Sequence, residues 1–223
     1  MSSRATRLRE LLSSGALKRG EIRSESTSEE SGAKLWSRSN LSGRLTEISG
    51  AGSVASLTAA IGLVLQTQYE CDPVAWVTTP VQEFYPPDVH EFGVDLESLA
   101  VVRVPTAATA ARAAERLVRC GAFGLVVLDL GKNAYMPTAL QGRLISLAQK
   151  HDTAIVCLTE KSSEKPSLGS MVSLRAEIFR EQVTPTAGEP RATYRCKVKV
   201  LKDKRRGPNW SHEEVVSGPA GLR

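Results

Sequence analysis

The chain has 223 residues, 41% hydrophobic and 5% aromatic, with 29 Lys and Arg against 24 Asp and Glu for a net charge of +5. Domains cluster at roughly 100–200 residues, so the length suits one domain with tails, and no apolar run approaches the ~20 residues of a membrane helix. Cys71, Cys120, Cys157 and Cys196 lie far apart, without CxxC pairs or nearby histidines; that argues against a zinc site and for free thiols in a reducing cytoplasm. The N-terminus is polar and charged with no apolar h-region, so no secretory signal and a cytoplasmic location are expected. Charge is uneven: Arg195 to Arg206 carries seven Lys and Arg against one acid, Asp203. Basic ends fit nucleic acid, an acidic protein surface or solvent equally well.

In chain order, Arg4 to Leu17 reads as a short amphipathic helix with Leu8, Leu11 and Leu12 on one face. Its apolar face can pack on its own domain or on a partner. Arg19 to Ser42 is rich in Ser, Glu, Arg and Gly and reads as a flexible arm, so residues 1–42 form a first segment of helix and arm. From Gly43 the pattern alternates. Short apolar strands are expected at Leu45–Ile48, Val74–Thr78, Leu99–Val104, Leu125–Leu130 and Ala154–Thr159, with helices at Ser53–Gln68, Thr106–Arg119 and Pro137–His151. Continuously apolar strands separated by helices imply a mostly parallel sheet covered on both faces, an α/β fold. Met171–Phe179 and Thr193–Leu201 read as antiparallel strands at the C-terminal end. The domain is placed at 43–207 and a polar tail at 208–223.

The stretch Gly43–Thr58, GRLTEISGAGSVASLT, organises the rest. A strand runs into a glycine-rich turn (Gly50, Gly52, Ser53) and then a helix, the setting of a phosphate-binding loop. Counting from Gly50, that motif needs glycine, lysine and a hydroxyl where this chain has Ala55, Ser56 and Leu57. Alanine adds a Cβ where backbone must approach phosphate. Serine removes the cation that faces the β and γ phosphates, and leucine removes the Mg²⁺-ligating hydroxyl. The loop shape can survive while its phosphate chemistry does not.

Asp129, closing the apolar run LVVLD, occupies the Walker B position; otherwise it is a strand-end acid that caps the next turn. His90, His151 and His212 are scattered, and Asp72, Glu83, Asp88 and Glu91 have no catalytic spacing. No catalytic residue, metal or cofactor is therefore expected. Arg195, Lys197 and Lys199 form one face of a strand; with Lys202, Lys204, Arg205 and Arg206 they make a candidate contact patch for DNA phosphate or an acidic partner. Trp36 and Trp210 lie in polar segments, as interface anchors or as residues packing each tail onto the core.

The order GRLTEISGAGS, VAWVTTP, EFGVDLESLAVVRV, GAFGLVVLDL, YRCKVKVLKDKRRGP resembles the ATPase core of RecA over roughly residues 43–207. The resemblance implies a RecA-like fold. The chain departs from RecA at Ala55-Ser56-Leu57, and at Thr79-Pro80, where RecA has its catalytic glutamate. It implies DNA-binding loops shortened to Lys132–Thr138 and Glu160–Gly169, and lysines (Lys202, Lys204) that in RecA reach a neighbour's nucleotide. A short, degenerate RecA-like chain with a leading helix and basic tail is similar to ImuA, the RecA-related accessory protein of bacterial mutagenesis cassettes. That likeness implies a pseudo-ATPase in SOS-linked translesion DNA synthesis. Its partners would be an ImuB-like Y-family polymerase homologue, an error-prone C-family DNA polymerase and RecA; DNA contact would be weak and no membrane is involved. Rival readings are a regulator or inhibitor of RecA filaments, a SulA-like division inhibitor and an atypical ATPase.

Overall fold

The computed structural model of the chain describes residues 35–50, 54–82, 84–132, 134–183 and 193–217. Eight strands follow in sequence: β1 (Leu45–Ser49), β2 (Val74–Thr78), β3 (Leu99–Arg103), β4 (Leu125–Gly131), β5 (Ala154–Thr159), β6 (Leu174–Val183), β7 (Thr193–Asp203) and β8 (Ser211–Ser217). The helices are α1 (Arg38–Leu41), α2 (Val54–Tyr69), α3 (Pro86–Glu91), α4 (Ala107–Cys120) and α5 (Thr138–His151). All strands join one sheet in the order β3-β2-β4-β5-β1-β6-β7-β8. Pairing is parallel from β3 across to β6, then antiparallel from β6 to β7 and β7 to β8. This mostly parallel sheet flanked by helices is the expected α/β fold, consistent with a RecA-like core.

The central strands are apolar throughout because both of their faces are covered. Every residue of β1, β2, β4 and β5 is buried, as parallel strands between helical layers require. On one face α2 lays Ala59, Ala60, Leu63 and Val64 against Ile48, Trp76, Val127 and Val156. On the other, Ala110, Ala114 and Val118 of α4 and Leu144 and Ala148 of α5 cover Ala75, Val126, Leu128 and Ile155. Small alanines let α4 lie close to the sheet. Thr106 and Thr109 exchange side-chain and backbone hydrogen bonds to cap its start, and Gly121 ends it at φ +71°, a left-handed conformation that glycine adopts at little cost.

Both expected outer segments need correction. Residues 35–42 are part of the body and not an arm: Trp36 and Leu41 are buried in the core. Arg38 also ties this stretch down, its guanidinium lying 2.6 Å from Asp72 and 3.4 Å from Asp152. The tail expected over 208–223 contains β8, which pairs with β7 and buries Glu214 and Val216. Trp210 packs against the core and donates its indole N–H to Asp203 at 3.1 Å. Both tryptophans are therefore packing residues. The antiparallel strands run to Val183 and Asp203, beyond the expected Phe179 and Leu201, and β6 also continues the parallel sheet beside β1. The leading helix with Leu8, Leu11 and Leu12 lies outside the described residues.

Candidate functional site

β1 ends at Ser49 and α2 starts at Val54, so the glycine turn joins strand to helix at the carboxyl edge of the sheet. Gly50 donates its N–H to the Thr159 carbonyl at 3.3 Å, tying the turn to β5; Gly52 and Ser53 lie outside the described residues. Ala55, Ser56 and Leu57 fall in the first turn of α2, with Leu57 packed against the core. Ser56 is buried, and its hydroxyl has no hydrogen-bond partner among the described residues. Across from it, Asp129 near the end of β4 is 6% exposed. Ser56, Leu57, Gln82, Asp129, Gly131 and Glu160 surround a cavity of about 10 Å³, room for about one water. The fold thus brings the degenerate loop and the Walker B-like acid together.

The electrostatics of this pocket oppose ionisation of the acid. Burial, and then the nearby Glu160 carboxylate, push the Asp129 pKa up to about 6. Glu160 accepts a hydrogen bond from Gln82 Nε2 at 3.1 Å and lies 3.7 Å from Lys132 Nζ. Sequence reasoning left Glu160 in a loop; its signal was its place directly after an apolar strand, beside the strand that carries Asp129. Asp129 and Glu160 could face the ion of a magnesium polyphosphate, but its phosphates would meet Ser56 in place of the lysine and Leu57 in place of the hydroxyl. These residues do not fit that group.

A second cluster, unforeseen in the sequence, supports the same edge. Glu47 of β1 is fully buried and accepts from Thr159 Oγ1 (2.9 Å) and the Leu168 N–H (2.7 Å). Lys161 Nζ and Arg175 Nε lie 3.6 and 3.9 Å from its carboxylate. Arg175 also donates to the carbonyls of Lys165 (2.6 Å) and Ser162 (2.9 Å). Charge-assisted bonds therefore hold the segment after β5 against β1.

The seven basic residues do not share one surface. Arg195, Lys197 and Lys199 are exposed on one face of β7, but Glu181 and Glu177 of β6 stand opposite Arg195 and Lys199. Glu213 of β8 pairs with Lys197 at 2.8 Å and, by that hydrogen bond, raises the lysine pKa. Lys202 is half-buried opposite Arg175, and burial, then Lys204, lower its pKa. Lys204 donates to the Ser170 carbonyl (2.8 Å), Arg205 to the Ser42 carbonyl (3.3 Å) and Arg206 to Asn40 Oδ1 (3.4 Å). These last three fasten the β7–β8 turn to the body. Among the described residues no group of three or more His, Cys, Asp or Glu side chains is placed to hold a metal ion, and no helix is long and apolar enough to cross a membrane.

No family model matches the chain. It is similar to protein RecA of Chlorobaculum parvum (strain DSM 263 / NCIMB 8327), 29% identical over 163 residues, which is 68% of this chain and 44% of that protein. The chain thus spans less than half the length of the RecA it matches. Together with the α/β sheet and the strand–loop–helix facing Asp129, this likeness supports a RecA-like relationship.

Proposed function

We propose that this RecA-like chain is a non-catalytic accessory protein of bacterial translesion DNA synthesis, similar to ImuA, that works through protein contacts. The observation that carries the non-catalytic part is Ser56: a buried hydroxyl without a partner among the described residues stands where a phosphate-binding loop has its lysine, facing a carboxyl group whose ionisation is opposed. A working nucleotide loop places a lysine at this position, facing the β and γ phosphates. The RecA likeness, with Ala55 and Leu57 also departing from the motif, supports the ImuA attribution. The partners are then an ImuB-like Y-family polymerase homologue and an error-prone C-family polymerase, with RecA as a further one.

Co-expression with the ImuB-like homologue tests this reading. The expected result is a complex that survives size-exclusion chromatography without nucleotide and forms equally with an Asp129→Asn variant. Failure to co-purify, combined with a change in RecA's DNA-stimulated ATPase at substoichiometric ratios, would replace it with the reading of a RecA-filament regulator.

A further inference from the structure

The pocket between Ser56 and Asp129 is closed by a short turn of chain. After β2 the backbone runs through Thr79, Pro80 and Val81 and returns with Gln82, which lines the pocket. The turn is tied locally: the Gln82 N–H donates to the Thr79 carbonyl at 3.0 Å, and Thr78 Oγ1 donates to the Gln82 carbonyl at 2.8 Å. From there the Gln82 side chain passes over the end of β4, and its Nε2 donates to Glu160 Oε1, just after β5, at 3.1 Å. One amide thus links the ends of three neighbouring strands, β2, β4 and β5. Gly131, at φ +59°, makes the crossing possible, because a Cβ there would collide with Gln82 Nε2. Lys132 Nζ, 3.7 Å from the second Glu160 oxygen, steadies the accepting carboxylate.

Few contacts besides that amide hold the turn shut. Among the described residues, no other hydrogen bond joins residues 79–82 to an element beyond β2. Val81, at the crown, is 85% exposed, so apolar packing does not fix it. The next anchor along the chain is Phe84, whose ring lies 5.4 Å from that of Trp76. Closure also carries an opposing cost. It leaves the Ser56 hydroxyl buried without a partner among the described residues, beside the buried carboxyl group of Asp129. Entering water would relieve both, since buried polar groups cost free energy when they lack hydrogen bonds. Segments held by few buried apolar contacts are the ones that open locally in a folded protein.

We propose that residues 79–82 form a strap that gates this pocket, with the Gln82–Glu160 hydrogen bond as its catch. Closed, the strap keeps solvent from Ser56 and Asp129. Open, it leaves them at the floor of a cleft on the carboxyl edge of the sheet. The catch, and not the identity of the floor residues, then sets access to the pocket. This inference rests on the pocket's place in the fold and not on the accessory-protein reading, so either can fail without the other.

The test places a thiol in the pocket of the full chain by Ser56→Cys and follows its reaction with N-ethylmaleimide by peptide mapping in a mass spectrometer. Cys71, exposed, and Cys157, buried, report free access and global unfolding in the same sample. With Gln82 in place the new thiol should react far more slowly than Cys71. Gln82→Ala should raise its rate at least tenfold while Cys157 stays unmodified. Gln82→Glu, which sets a carboxylate against Glu160, should do the same, and adding Glu160→Gln, which returns an amide–carboxylate pair, should restore the protection. In the chain with its native Ser56, Gln82→Ala should also speed amide hydrogen exchange at Glu160, whose N–H donates to the Gly131 carbonyl at 3.1 Å; this reading stands even where the thiol variant does not fold. A thiol at position 56 that reacts as fast as Cys71 with Gln82 present would overturn the proposal. So would a rate or a Glu160 exchange unmoved by Gln82→Ala, or a double variant no better protected than Gln82→Glu alone.

Discussion

Asp129 sits where burial and the Glu160 carboxylate both oppose its ionisation. Its pKa of about 6 lies above the ordinary 3.8, so between those values the folded chain holds a proton that the unfolded chain has released. The stability from this group is full below the lower value and is lost as pH rises through the upper one. Asp129→Asn should therefore change little at about pH 4 and raise stability at about pH 8 by up to about 3 kcal/mol, two pKa units of linkage. Urea melts at the two pH values check this; a variant less stable at the higher pH would mean that the carboxylate is held ionised. Glu47 gives the opposite expectation. Glu47→Ala leaves Arg175 and Lys161 without their buried counter-charge, and breaking such a pair costs about 3–5 kcal/mol; a loss below about 1 kcal/mol in the same melts would contradict the cluster. The two residues were not equally legible. Asp129 closes an apolar strand, and that position alone marked it. Glu47 reads as an ordinary polar residue in TEIS, because its partners Thr159, Leu168 and Arg175 are more than a hundred positions away.

Elements with long apolar runs or strong helical periodicity were legible to within a few residues, as β2, β4, β5 and α4 are. Their burial on two faces, or on one stripe, writes itself directly into the sequence. β8 was not legible. In Ser211–Ser217 the buried positions include Glu214, which removes the apolar alternation that marks a half-buried strand. α1 and α3 are too short, at 4 and 6 residues, to show a period. These misses matter for experiment. Truncation after Gly207 is expected to strip β8 from β7, remove the Trp210–Asp203 hydrogen bond and bare the β7 edge, with a lower Tm and aggregation in light scattering. An unchanged Tm would show that the described strand adds nothing to the fold. Failure of a partner to bind the truncated chain would therefore reflect the damaged sheet as much as any missing tail surface.

At the scale of the whole molecule, charge is the quantity the sequence misrepresents most. Seven basic residues within Arg195–Arg206 read as one patch, yet Glu213 pairs with Lys197, Glu181 and Glu177 stand opposite Arg195 and Lys199, and backbone carbonyls accept from Lys204 and Arg205. Affinity for DNA grows with the number of phosphates neutralised, so a short duplex should bind weakly and with a shallow salt slope, measurable by polarisation from about 50 to 200 mM salt. A steep slope would restore the patch. The mostly parallel sheet was legible because each apolar strand is followed by its own helix. The departures at Ala55, Ser56 and Leu57 were readable in the sequence, whereas the place of β3 at the end of the sheet was hidden, since only the strand order reveals which strand is outermost. The central claim is that the nucleotide chemistry of this RecA-like core has been dismantled. Calorimetry tests it most directly, with Mg-ATP titrated into the full chain and into a Ser56→Lys variant. Neither should give saturable heat at about micromolar concentrations, because Leu57 and the Asp129–Glu160 pair remain in both; tight binding by the native chain would contradict the account.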